Sequence, residues 1–318
     1  MTAPEDLERA IIGAVPELTG EEIAGPSGLS VQQAQRLWRA LGFPEAGDEA
    51  AFSDADAEAL VRVARIEREG RLDFDTIVKM TRAVGQTMDR LAEWEVALLT
   101  GLLENAAPGA SKREAALRLV QNIGPDFESL LTYVWRRHLV AAVARVETLE
   151  GAGVDEQVAE ATVGFADLVS FSALTNRLDD DEIGDLVEVF ETRSHDVVSR
   201  RGGRVVKTQG DSVLFLAGSP DDGLEIAWDI VRVIGGDKRL PDVRVGVVTG
   251  AVVLRMGDVY GPAVNLAARL VGVARRNRVI TDAHTAERLS PDRFETRVLP
   301  ARPVRGFGDL EPVAVRRT

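Results

Sequence analysis

The stretch ATVGFADLVSFSAL, residues 161–174, reads as a buried β-strand that stops at Asp167 and passes through a turn into a helix. Farther on, VVKTQGDSVLFLA at 205–217 brings Asp211 to a tight Gly-Asp turn between two apolar runs. A carboxylate at a strand end, followed by a turn and a helix, can hold a divalent cation. The backbone N–H groups of Leu168, Val169, Ser170 and Phe171 can then receive phosphate oxygens. Taken singly, either aspartate is better explained as an ordinary cap or turn residue than as a ligand.

Working outward, the texture beyond Val158 is one of short β-branched runs alternating with helices: GRVVKT, SVLFLA, VRVGVVTGAVVL and NRVIT. Between Asp179 and Arg201, Ile183, Leu186, Val187, Phe190, Val197 and Val198 fall close to helical spacing, which predicts a helix covering a sheet. Two hairpins are expected. One turns at Thr208-Gln209-Gly210-Asp211, and the other turns at Thr249-Gly250 between Val243–Val248 and Ala251–Leu254.

The first 150 residues read differently. Stripes such as Leu7, Ala10, Ile11 and Ala14, or Leu60, Val63, Ala64 and Ile66, predict an all-α region with Ser30 and Ser53 as N-caps. Turns are expected at Gly25-Pro26-Ser27-Gly28, Gly42-Phe43-Pro44 and Ala107-Pro108-Gly109. A helical stretch from Leu130 to Leu149 then loosens at GAGVDEQ, placing the domain boundary between residues 150 and 151. SVQQAQRLWRALGF also admits a second reading, as the second helix of a helix-turn-helix.

Composition narrows the function. The 318 residues, 45% hydrophobic, suffice for two domains with real cores. A net charge of -13 argues against a general binder of nucleic acid or anionic membrane. The absence of cysteine excludes disulfides, thiolate metal sites and a cysteine nucleophile. The acidic start MTAPEDLERAIIGAVPEL is unlike a signal peptide, and a cytoplasmic protein without a membrane span is expected.

A third motif, GDVYGPAVNLAARL at 257–270, carries Asp258, Asn265 and Arg269. Asn265 and Arg269 lie four apart and project from one helix face. With Lys207, Asp167 and Asp211 they form six side chains suited to a nucleotide: two carboxylates, a Lys/Asp pair, an amide and a guanidinium. Lys can donate to adenine N1 while Asp accepts from its exocyclic amine, and guanine reverses that edge. Outside these motifs, the same pair would read as a surface salt bridge.

GFADLVSFS, VVKTQGDSVLF and GDVYGPAVNLAARL resemble the catalytic domain of class III adenylyl cyclases, over roughly residues 158–318. That resemblance implies an α+β fold, a ferredoxin-like βαββαβ catalytic domain at 151–318 behind an all-α domain at 1–150. It further implies conversion of ATP to 3′,5′-cyclic AMP and pyrophosphate with two ions of Mg²⁺ or Mn²⁺ per site. By the same resemblance, Asp167 and Asp211 are the metal ligands, Lys207 and Asp258 select adenine, Asn265 orients ribose and Arg269 stabilises phosphate charge. A homodimer with composite sites is implied, the aspartates coming from one chain and the other four residues from its partner. Arg305, in PVRGFGDLEPVAV, falls near where the family often places a basic residue against the terminal phosphates. Ser170 and Ser172 depart from the glycine and threonine common there.

The N-terminal half resembles the helical regulatory domain of bacterial adenylyl cyclases that respond to pH, a domain able to hold a fatty acid. His138, in WRRHLVAAV, is the histidine best placed to sense pH, although an exposed helical histidine is the plainer reading. Guanylyl cyclase and a catalytically silent ATP-binding regulator are the rival functions. The Lys/Asp pair disfavours the first, and the complete set of six disfavours the second.

Overall fold

Polar caps and apolar stripes set the helices of the first half in the computed structural model, which describes residues 4–45, 47, 49–106, 111–151, 158–255 and 257–318. The helices are α1 (Pro4–Ile11), α2 (Gly20–Ser27), α3 (Val31–Leu41), α4 (Asp54–Arg68), α5 (Phe74–Ala106) and α6 (Lys112–Gly151). Ser30 caps α3, its hydroxyl accepting from the Gln33 N–H at 3.2 Å while Gln33 accepts from the Ser30 N–H at 2.9 Å. Ser53 opens α4 with its N–H and hydroxyl both donating to Asp56. The expected turn at 25–28 is partly helical: α2 continues through Pro26 and ends only where Gly28 takes φ 75°. Gly42 ends α3 the same way, at φ 97°. The turn expected at 107–109 and the loosening over 152–157 lie outside the described residues.

Ile23, Leu37, Phe52, Leu60, Ile77 and Val78 form the core of this helical part. Each such side chain contributes roughly 1.5–3 kcal/mol on burial. By internal packing the chain divides into two units, Met1–Ala141 and Ala142–Thr318.

The second unit begins with β1 (Val158–Leu168), α7 (Phe171–Thr175), α8 (Asp180–Arg200), β2 (Arg204–Gln209), β3 (Ser212–Ala217), α9 (Pro220–Gly235) and β4 (Val243–Arg255). It continues with β5 (Asp258–Tyr260), α10 (Pro262–Val273), β6 (Arg278–Thr281), α11 (Ala283–Ala286), β7 (Phe294–Val298), β8 (Arg302–Val304), β9 (Gly308–Leu310) and β10 (Val313–Arg317). The main sheet runs β2-β3-β1-β4-β6-β10-β7, with β5 paired to β4. Strands β1 to β4 with α8 and α9 make the βαββαβ core, and β8 and β9 form a separate two-stranded ribbon.

Alternation along β1 sorts the two faces. Ala166 and Leu168 join Phe190, Phe215, Ile226 and Ile230 under α8 and α9. Val163 joins Leu214, Val248, Ala267 and Leu270 under α10. Asp167, between Ala166 and Leu168, therefore points to the α10 face.

The hairpin expected at Thr249-Gly250 is not there. β4 runs straight through, pairing with β1 from Val243 to Val253. Thr249 is buried at 4% exposure, shares a hydroxyl hydrogen bond with Thr162 at 2.9 Å, and donates its N–H to the Thr285 hydroxyl at 2.7 Å. Gly250 is needed for closeness rather than for a turn, because a Cβ there would sit 3.3 Å from the Ala263 Cβ on α10. At Gly246 an added Cβ would lie 2.7 Å from the Ala267 carbonyl oxygen, so α10 rests directly on β4 backbone. The other expected hairpin forms, with longer strands and a two-residue Gly210-Asp211 turn.

Candidate active site

One cross-strand row runs over the α10 face. Ser212 on β3 pairs with Asp167 on β1, Asp167 pairs with Arg244 on β4, and Arg244 pairs with Arg278 on β6. Arg244 donates to Asp167 Oδ2 from Nε at 2.7 Å, with Nη2 at 2.6 Å from the same oxygen.

Asp211 adjoins this row. Its carbonyl accepts the Leu168 N–H at 2.9 Å, tying the β2–β3 turn to the end of β1. Burial first, and the charge of Asp167 second, push the Asp211 carboxyl above its usual range, with Arg244 pulling the other way. Two carboxylates that repel one another and are partly shielded from water are a donor set that fits a divalent cation. No cluster of three or more acidic, His or Cys ligands occurs among the described residues.

The expectation of four free backbone donors after Asp167 needs correction. The Leu168 N–H is taken by Asp211, and the Val169 N–H donates to the Asp242 carbonyl at 2.7 Å, because both residues still belong to strand-end bridging. Ser170 and Phe171 keep the orphan N–H groups that open a helix. Ser170 stands in the left-handed region at φ 61°, where glycine is the unstrained residue.

Lys207 lies opposite Leu214 after a bulge in β2, which turns it to the α10 face. Its Nζ is 2.7 Å from Asp258 Oδ2 at the start of β5, with side chains 39% and 26% exposed. Burial raises the Asp258 carboxyl, but the Lys207 hydrogen bond, the Val259 N–H and further the Lys207 charge outweigh it and hold the group low. The Asp258 carboxylate is thus kept ionised.

Asn265 and Arg269 share the exposed face of α10, opposite buried Ala263, Val264, Ala267, Leu270 and Val271. Lys207 and Asp167 are separated by strand β3 and by two residues of register, about 12 Å between Cα atoms at ordinary strand spacing. Within one chain, the carboxylate pair and the Lys/Asp pair are therefore two distinct clusters on one face. Arg305 is exposed in the turn of the β8–β9 ribbon.

Arg244 is the site residue that motif reading missed. Its signal was visible, since VRVGVV places a single charge within an otherwise apolar central strand.

In the helical unit, a cavity of about 360 Å³ is lined by Ile23, Leu37, Trp38, Leu60, Met80 and Val84 among others, with Asp56 and Thr81 as polar neighbours. His138 is exposed on α6. On α3, Arg36 pairs with Asp75 and Arg39 with Glu45, all four side chains being exposed. No described helix is long and apolar enough to cross a membrane.

The sequence matches the adenylate and guanylate cyclase catalytic domain over residues 154–315, and the adenylate cyclase regulatory domain over 7–142. It is 39% identical to an adenylate cyclase of Streptomyces coelicolor, covering 98% of this chain and 89% of that protein. An adenylate cyclase of Glutamicibacter nicotianae is 40% identical, over 96% of this chain and 80% of its own length. A pH-sensitive adenylate cyclase of Mycobacterium tuberculosis is 30% identical, over 94% and 78%.

Proposed function

This chain belongs to the class III nucleotidyl cyclase family, and from that premise we propose that it is an adenylyl cyclase, making 3′,5′-cyclic AMP and pyrophosphate from ATP. The observation that carries the base assignment is the 2.7 Å Lys207–Asp258 pair. Its donor and acceptor match adenine N1 and N6 and oppose the guanine edge. A site that hydrogen-bonds one edge rejects its reverse by up to about 10⁴-fold, because the wrong base strands polar groups. The relatives' shared name of adenylate cyclase supports the same assignment.

Asp167 and Asp211 would hold two divalent ions, Mg²⁺ or Mn²⁺. Bound there, the ions supply Lewis acidity toward the ribose 3′-hydroxyl and the phosphate oxygens. The chain's own groups do the remainder. Asn265 fixes the ribose so that its 3′-oxygen lies in line with the α-phosphorus, and Arg269 neutralises charge building on the phosphate. Arg244, beside this carboxylate pair, would be placed to meet phosphate oxygens. Ser170 and Phe171 offer backbone donors, Leu168 and Val169 shape the loop beneath them, and Arg305 is a candidate contact to the terminal phosphates.

Membership of the family supports a homodimer, in which the Asp167/Asp211 cluster of one protomer faces Lys207, Asp258, Asn265 and Arg269 of its partner. Residues 1–150 then form a regulatory domain ahead of the catalytic domain at 151–318. Its apolar cavity suits an alkyl chain, and its polar neighbours Asp56 and Thr81 suit a protonated fatty-acid head better than a carboxylate. Proton-dependent control through α6 and His138 fits the same scheme. Incubating the purified protein with ATP or GTP and Mg²⁺ or Mn²⁺ across pH tests the reading: cyclic AMP from ATP supports it. Cyclic GMP as the main product, or no cyclic product with either metal, refutes it.

A further inference from the structure

Lys207 and Asp258 meet across two elements that share no strand pairing. Lys207 is on β2, at an edge of the main sheet, whereas Asp258 opens β5, a three-residue strand paired with β4. Strands β3 and β1 lie between β2 and β4 in the sheet, so no backbone ladder fixes how far Asp258 stands from Lys207.

A second side chain of β2 reaches the same hairpin. Arg204 stands three residues before Lys207, a separation that sends side chains to opposite faces of a regular strand. The bulge between Val205 and Lys207 cancels that alternation. Arg204 lies opposite Leu216 and Lys207 opposite Leu214, and both leucines belong to the α10 face. The two cations are therefore neighbours on one face of β2. Arg204 Nη1 donates to the Gly257 carbonyl at 3.3 Å, and the next residue is Asp258, whose Oδ2 takes Lys207 Nζ at 2.7 Å. Gly257 is left-handed at φ 80°, in the turn that joins the paired residues Arg255 and Asp258.

We propose that Arg204 is a positioning residue for base selection: by holding the Gly257 carbonyl it fixes the β4–β5 hairpin, and with it the distance of Asp258 from Lys207. The salt bridge by itself is a poor spacer, because the groups that make it are the ones a purine edge must engage. At 39% and 26% exposure it also contributes little rigidity. A tether to the backbone one residue away leaves both groups to the base. Guanidinium suits that task, since it is always charged and gives a charge-assisted bond from a planar, preorganised fork. The role in selection rests on the reading of Lys207 and Asp258 as the adenine pair, whereas the tether does not.

The test uses the full-length chain and two readouts, nucleotide kinetics and amide hydrogen exchange. Arg204→Met keeps the apolar stem and loses the donor. It is expected to raise the KM for ATP about tenfold with kcat changed less than about threefold. The inhibition constant of GTP against ATP should change less than about twofold, so the preference for ATP narrows about tenfold. Hydrogen exchange at Val259 and Tyr260 should quicken about tenfold, with β1 and β3 unchanged as the control for folding. Arg204→Lys, which keeps the charge and a donor, should recover part of the preference. A fall in kcat at constant KM, unaltered exchange at the hairpin, or equal loss in Arg204→Lys and Arg204→Met overturns the proposal. An unchanged preference in Arg204→Met beside a collapsed one in Lys207→Met overturns the proposal alone, whereas an unchanged preference in both variants sinks the base reading itself.

Discussion

Arg244 lays two nitrogens on one oxygen of Asp167, at 2.6 and 2.7 Å, so a candidate metal ligand is held by a cation of the chain itself. A divalent ion must share or displace that guanidinium. Arg244→Met should therefore strengthen Mn²⁺ binding in the absence of nucleotide, as read by calorimetry. The same change should lower kcat by about 10²-fold, since one preorganised phosphate donor is lost. Weaker Mn²⁺ binding in the variant would show that the pair serves to position Asp167 rather than to compete for it.

Base selection should reside in Lys207 and Asp258. Lys207→Met removes the donor to adenine N1 and strands Asp258 without its partner at 2.7 Å. The expected result is a fall in kcat/KM for ATP of about 10²-fold or more, with a much smaller change for GTP. An unaltered ATP-to-GTP ratio would remove the pair from base recognition.

Asp211 illustrates a conflict between function and stability. Burial and the nearby Asp167 hold its carboxyl above the usual range, so the folded protein retains that proton more tightly than the unfolded chain does. Its contribution to stability is present below the unfolded pKa and is lost as pH rises through the folded one. Near neutrality, without metal, Asp211→Asn should leave stability unchanged or raise it by up to about 1 kcal/mol while abolishing cyclase activity. Added Mn²⁺ should stabilise the native protein and not the variant, as seen in thermal melts.

Acid sensitivity should arise elsewhere, at Asp229 on α9. Burial raises this carboxyl, but the Arg201 hydrogen bond at 2.7 Å and the charges of Arg201, Arg317 and Arg232 more than offset it. A lowered carboxyl contributes stability that is fully present above the unfolded pKa and is lost as pH falls through the folded one. Asp229→Ala would leave Arg201 and Arg317 less compensated, with Glu225 as their remaining partner, at a cost of about 1–3 kcal/mol. Chemical denaturation at neutral and acid pH should show the variant's deficit shrinking as the medium is acidified.

The sequence was informative where local chemistry repeats itself. The strand–turn–helix at 161–174, the Gly-Asp turn at 210–211 and the α10 pair Asn265/Arg269 could all be read from spacing, because each is set by contacts within a few residues. The false hairpin at Thr249-Gly250 shows the limit. Thr and Gly usually signal a turn, yet here Thr249 is held by Thr162 and Thr285, and Gly250 makes room for Ala263, all distant in sequence. Arg244 escaped notice for the same reason: its role appears only when β1 and β4 pair and bring Asp167 beside it. The backbone donors of Leu168 and Val169 were miscounted because their acceptors, Asp211 and Asp242, come from later strands.

The central claim is that one reaction centre draws its aspartates from one protomer and its Lys207, Asp258, Asn265 and Arg269 from the other. Asp211→Ala and Lys207→Ala chains, each inactive alone, can be mixed, unfolded and refolded together, and heterodimers confirmed by differential tagging. Random pairing makes half of the dimers mixed, each with one intact site of two, so about a quarter of native cyclic AMP synthesis is expected. Mixtures that contain confirmed heterodimers but stay as inactive as either parent would contradict the claim.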